Sequence, residues 1–191
     1  MNSYFLIFFS IVAVIFFSVN SYIFLRGLQA LSFLPQIKIY YIVLFWLMAL
    51  TFFAGRILEN SYPSAFTDLL VWIGSIWLAI MLYAFLSILL IDIVRAANHY
   101  FNFLPKTIYL DYNKTKFIAL VVVVLIITVT IVAGYINFNN PRIASLKLDV
   151  DKKVENIKTL NIVMASDIHM GTIVSNGRVT KLVNMINKLN P

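Results

Sequence analysis

Asp167 and His169 stand two residues apart at the point where an apolar stretch, Leu160-Asn-Ile-Val-Met-Ala-Ser166, runs out, with Gly171 two residues beyond the histidine. In an extended loop, residues two apart present their side chains to the same side, so a carboxylate and an imidazole at this spacing can converge on one cation. A hard oxygen donor beside an imidazole nitrogen suits manganese, iron or zinc. Asp-x-His alone is a short pattern that chance supplies readily; its setting makes it informative.

That setting is a strand, a loop and a helix. Ile157–Ser166 reads as a strand apolar enough to lie inside a sheet. After the loop, Ser175 or Asn176 can cap a helix whose apolar positions Val179, Leu182, Val183, Ile186 and Leu189 recur at three- and four-residue spacing. Upstream, Asn137-Phe-Asn-Asn-Pro141 is a polar break, and Arg142–Val150 alternates apolar and polar residues with the period of a half-buried strand. The pair Asp167 and His169 is thereby expected at the carboxyl end of a strand, where open α/β sheets place their ligands.

The rest of the chain belongs to a membrane. Of its 191 residues 61% are hydrophobic and only 12% charged, with a mean hydropathy of +0.89, outside the range of soluble domains. Four apolar runs, Tyr4–Leu25, Ile39–Ile57, Leu69–Val94 and Phe117–Ile136, are each long enough to cross a hydrocarbon core of about 30 Å as helices. The first has no basic residue before it and no clean cleavage site after it, so it reads as a retained helix, not a secretory signal. The last is rich in β-branched residues, but an unpaired strand of that length cannot satisfy its backbone in lipid, and a helix is required.

Basic residues orient the spans. Arg26 and Lys38 lie in the first loop and Arg95, Lys106, Lys114 and Lys116 in the third, against Arg56 with Glu59 in the second. Loops one and three are therefore expected in the cytoplasm, and the N-terminus and everything after Ile136 outside it. Arg142, Lys147, Lys152 and Lys153 oppose this only weakly, since they lead into a folded domain. The net charge of +7 is largely this topogenic charge; no basic face with interleaved aromatics points to nucleic acid.

Within the spans little suggests chemistry. Asp68 begins the third run, where the helix dipole favours a carboxylate, and Asp92 is placed to pair with Arg95 at i, i+3. His99 sits beside Tyr100 and Phe101 as interfacial packing. Tyr4, Tyr22, Tyr40, Tyr41 and Tyr135 near the run ends suit an aromatic belt, and Ser75 with Ala79 offers a small-xxx-small pair for helix approach. With neither buried charge nor paired broken helices in the spans, a small transporter is a distant reading. The absence of cysteine excludes disulfides and thiolate metal sites.

Asn161-Ile-Val-Met-Ala-Ser-Asp167-Ile-His169, followed by Gly171 and Val179–Pro191, resembles the opening block of calcineurin-like metallophosphoesterases, especially those carried behind several membrane helices. The resemblance implies a two-sheet αββα sandwich around two divalent metal ions, with Asp167 and His169 ligating one of them and phosphoesters or lipid-linked phosphates as substrates. It covers roughly residues 140–191. The bridging aspartate, the Gly-Asn-His block and the later histidines of that family do not occur, so no catalytic residue is assigned. The expectation is accordingly a four-helix membrane anchor over residues 1–136 and the first strand-strand-helix of a metallophosphoesterase domain over residues 137–191, a fragment inactive alone. The alternative is a non-enzymatic four-helix membrane protein with a vestigial or interaction tail.

Overall fold

A computed structural model describes residues 3–105, 107–149, 160–166, 168, 171 and 176–191. They form two compact units, Met1–Val132 and Ala133–Pro191. Four long helices dominate: α1 Ser3–Ala30, α2 Lys38–Ser61, α3 Ala65–Phe101 and α5 Tyr112–Asn139, with a short α4 at Thr107–Leu110 and α6 at Asn176–Asn187. The four long helices are apolar enough to span a bilayer, and the chain is a multi-pass integral membrane protein. The β-branched run Val121–Val124 lies inside α5, a helix of 28 residues, because intrahelical bonds alone satisfy a backbone in lipid.

Each helix exceeds its apolar run, and local capping explains the excess in α3. Ser64 is its N-cap, with Oγ accepting the Thr67 N–H at 3.2 Å, and Asp68 sits in the first turn. At the other end Asn102 adopts the left-handed conformation, φ 49°, and its N–H bonds the Asn98 carbonyl at 2.9 Å, a stop that asparagine supports better than most side chains. The 37 residues of α3 are about 55 Å long at 1.5 Å per residue. That exceeds a hydrocarbon core, so the segment from Asp92 to Phe101 reaches into the interfacial zone.

The first three helices pack up-down-up. Phe16 and Phe17 of α1 meet Phe53 of α2, and Phe24 of α1 stacks on Tyr41, the order of an antiparallel pair. Phe45 of α2 lies edge-on to Trp77 of α3 with centroids 4.9 Å apart. Because lipid tails are as apolar as the helices, no hydrophobic effect drives this association; ring contacts, close backbone approach and interhelical polar bonds must do so. Close approach falls at Gly55 and Gly74. A Cβ on Gly74 would stand 2.6 Å from the Cα of Phe52, and one on Gly55 2.8 Å from the N of Val71. Of the expected pair Ser75 and Ala79, Ser75 donates to its own helix at the Val71 carbonyl, 2.7 Å, and the backbone approach falls one residue earlier, at Gly74. One residue is about 100° of helix rotation, which moves the contact from Ser75 to Gly74.

A buried polar knot adds to these contacts. Asn20, wholly enclosed in α1, accepts a bond from Trp77 Nε1 at 3.0 Å and donates to the Phe16 carbonyl at 2.9 Å and the Met81 sulfur at 3.0 Å. Every polar atom of the amide is thus used where no water competes. Of the tyrosines expected in an interfacial belt, Tyr4, Tyr40 and Tyr135 are exposed, as a belt requires. Tyr22 and Tyr41 turn inward instead, to Asp92 and to the Phe24 carbonyl, because each faces a neighbouring helix at its depth. The fourth span, α5, approaches the other three at few backbone points among the described residues and joins the core through Val123 and Ile127.

In the second unit, α6 forms where the three- and four-residue spacing of Val179, Leu182 and Ile186 predicts it, and its Leu189 falls in the turn that follows. Of its two expected caps, Ser175 lies outside the described residues and Asn176 is the first helical residue. The two expected strands are not seen: among the described residues, 141–149 and 160–166 form no ladder and take no regular structure. A strand exists only by pairing, since its backbone N–H and C=O groups bond outside the segment, and no ladder partner is present for either among the described residues.

Candidate functional site

Asp167 and His169, the expected metal ligands, lie outside the described residues, so their geometry is not part of the structure. Their frame is visible in part. Asn161, on the stretch leading to Asp167, donates through Nδ2 to the Leu189 carbonyl at 2.7 Å and to the Asn190 carbonyl at 3.2 Å, tying that stretch to the residues just after α6. Arg178 and Lys181 hold α6 at its other side: the Arg178 guanidinium carbon lies 3.4 Å from the centre of the Phe138 ring, and Lys181 Nζ donates to the Asn139 carbonyl at 2.8 Å. The last two turns of α5, α6 and the stretch before Asp167 therefore form one connected piece of the second unit. Among the described residues no group of three or more His, Asp or Glu side chains is close enough to hold a metal ion.

The first unit carries a second concentration of charge, only partly foreseen. Asp92 does pair with Arg95 at i, i+3, at 3.4 Å. The same carboxylate, however, takes a shorter bond through Oδ2 from Arg26 of α1, and the Tyr22 hydroxyl donates to that oxygen at 2.6 Å. Arg95 in turn donates to the Tyr112 hydroxyl at the start of α5, and the Lys116 ammonium stands 4.5 Å from the centre of the Tyr112 ring. Ser32 of the first connection donates to Asn113 Oδ1 in the first turn of α5 at 3.2 Å. The first and third connections thus share one end of the bundle.

His99 lines a cavity of about 730 Å³ at this end together with Arg26, Asp92, Arg95, Asn98 and Tyr112. Its ring packs edge-on to Tyr100 with centroids 5.4 Å apart. Sequence reasoning reached the Asp92–Arg95 contact and missed its bridge to Arg26, 66 residues away. It also passed over Asn20, for which the signal was plain: an amide in the middle of an apolar run is costly and must find partners.

No family model matches the chain, and no solved structure matches it. Over 72 residues, 37% of its length, the chain is 36% identical to a transmembrane protein with metallophosphoesterase domain from Danio rerio, of which the match covers 16%. Four membrane-spanning helices and this likeness together fit a membrane-anchored metallophosphoesterase.

Proposed function

We propose that this chain supplies the membrane anchor, residues 1–136, and the first metal-binding block, within residues 137–191, of a metal-dependent phosphoester hydrolase. The observation that carries the reading is the likeness to a membrane protein named for its metallophosphoesterase domain; the four spans and the helix α6 behind Asp-x-His support it. Asp167 and His169 are the ligands: one carboxylate and one imidazole fit a divalent ion such as manganese, iron or zinc. When bound in pairs, such ions polarise phosphoryl oxygens and generate a hydroxide nucleophile. Two side chains cannot complete two coordination spheres, so these 191 residues by themselves bind metal without turning over substrate. The substrate class is a phosphoester or a lipid-linked phosphate outside the cytoplasm.

Manganese binding to the chain in detergent micelles, followed by the loss of the free Mn²⁺ electron paramagnetic resonance signal, tests the ligand assignment. Asp167→Ala and His169→Ala are each expected to weaken binding about tenfold or more, since even residues behind the ligands change affinity by 10–100-fold. Equal binding by the unaltered chain and both variants refutes the assignment and leaves the non-enzymatic tail. Turnover of bis(p-nitrophenyl) phosphate by these residues refutes the claim of inactivity.

The side of the membrane is tested separately, and the cysteine-free sequence makes the test clean. Ser145→Cys is expected to react with a membrane-impermeant maleimide in intact cells, and Asn113→Cys only after permeabilisation; both positions are exposed. The reverse pattern places the second unit in the cytoplasm.

A further inference from the structure

The charged end of the bundle opens onto an apolar groove, and the two share Arg26, Asp92 and Arg95 as common wall residues. The groove, about 360 Å³, runs inward between the spans, past Ile23, Ala84, Ile88, Leu120 and Val123, to Trp77. Small residues make the space: Gly27, Ala30, Ala84 and Ala119 lie along it, and α5 stands back from its neighbours. From Asp92 to Trp77 along α3 the groove is about 22 Å deep at 1.5 Å per residue, close to one leaflet of a bilayer about 40–45 Å thick with its headgroups.

Charge at the mouth is unbalanced. Arg26, Arg95 and Lys116 line the groove around a single carboxylate, Asp92, leaving two positive charges in excess. Among the described hydrogen bonds each guanidinium spends two of its five donors, Arg26 on Asp92 and Gln29 and Arg95 on Asp92 and Tyr112. Both side chains remain a third to a half exposed, at 33% and 44%. They can still be reached by an anion in the interfacial layer. In a bilayer the material that lies against an apolar groove is hydrocarbon, not water.

We propose that this groove binds one anionic phospholipid, its phosphate on Arg26, Arg95 and Lys116 and one acyl chain along Ile23, Ala84, Ile88 and Val123 towards Trp77. The occupant follows from complementarity at both ends: an anion opposite the excess cations, continuous with a chain as long as the apolar slot. On the orientation expected from the basic loops, the site faces the cytoplasmic leaflet, where anionic lipids are concentrated. It lies in the anchor and stands independently of the metal ligands proposed at Asp167 and His169.

The test is native mass spectrometry of the full chain released from nanodiscs of equal phosphatidylglycerol and phosphatidylcholine, with matched acyl chains. Retained phosphatidylglycerol is expected in about tenfold excess, the preference that one or two basic groups confer near an anionic headgroup. Arg95→Gln with Lys116→Gln is expected to keep a bound lipid and lose the preference. Equal retention of the two lipids, retention of none, or an undiminished preference in the double variant overturns the proposal; the comparison on the unaltered chain decides even where the variant fails to fold. Soluble glycerol 3-phosphate is expected to leave the bound lipid in place. Its displacement by that anion identifies a phosphate site and refutes a lipid site.

Discussion

Gly74→Leu is expected to abolish the folded anchor, and Gly74→Ala to destabilise it by about 1–3 kcal/mol, the usual range for forcing extra carbon into a packed contact. The cause is the identity of the neighbour. A Cβ at Gly74 would meet the Cα and N of Phe52 at 2.6 and 2.8 Å and the carbonyl carbon of Thr51 at 3.1 Å. These are main-chain atoms, which cannot swing aside as a side chain does, so α2 and α3 must separate. Separation also breaks the reciprocal approach at Gly55 and the edge contact of Phe45 with Trp77. Gly134→Ala is the control, because nothing lies within 4 Å of a Cβ there. Thermal unfolding in detergent, followed by tryptophan fluorescence, measures both. Equal midpoints for the two alanine variants would show that α2 and α3 do not meet through Gly74.

Asp92→Ala is the second large effect. It removes the carboxylate that, among the described residues, Arg26 and Arg95 share, together with the acceptor of the Tyr22 hydroxyl. Removing one partner of a fully buried pair costs about 3–5 kcal/mol, chiefly because a charge is left uncompensated. Here the three side chains are 21–44% exposed, and water screens the loss to about 1–2 kcal/mol. Double-mutant cycles separate the partners: coupling of Asp92 to Arg26 is expected to exceed coupling to Arg95, whose i, i+3 geometry is worth only about 0.2–0.5 kcal/mol. Asp92→Asn, which keeps an acceptor for Tyr22 and loses the charge, is expected to fall between wild type and Asp92→Ala. Denaturant titration in micelles reads all of these, and a coupling to Arg95 as large as or larger than that to Arg26 would overturn the ranking and make the bridge between α1 and α3 the weaker contact.

The two predictions differ in how far the residues themselves announce them. Asp92 and Arg95 are legible as a pair because both lie on one helix, and three residues along a helix is a fixed displacement. Arg26 is not legible as the third member, since nothing local relates positions 66 residues apart. Gly74 was passed over for Ser75 for a similar reason. Small residues mark where a close approach is possible, but the rotation of each helix about its axis selects one of them, and that rotation is a property of the packed set.

The same division runs through the whole protein. Composition and run length determined that the chain spans a membrane four times, because partition into lipid is a sum of local transfer free energies and the backbone leaves helix as the only spanning form for such runs. The spacing of Val179, Leu182 and Ile186 determined α6; Asp167 and His169 lie outside the described residues, and their role as partners for a cation is a proposal. Only the tertiary structure decided that Asn20 would be sealed against Trp77, that Tyr22 and Tyr41 would turn inward, and that Arg26 would share Asp92 with Arg95 at the mouth of an apolar groove. Each of these joins residues from different helices, and contacts between helices depend on packing geometry that no local pattern encodes. Strands obey the same rule: 142–149 and 160–166 carry strand-like patterns, but a strand is defined by its neighbour, whereas a helix satisfies its own backbone.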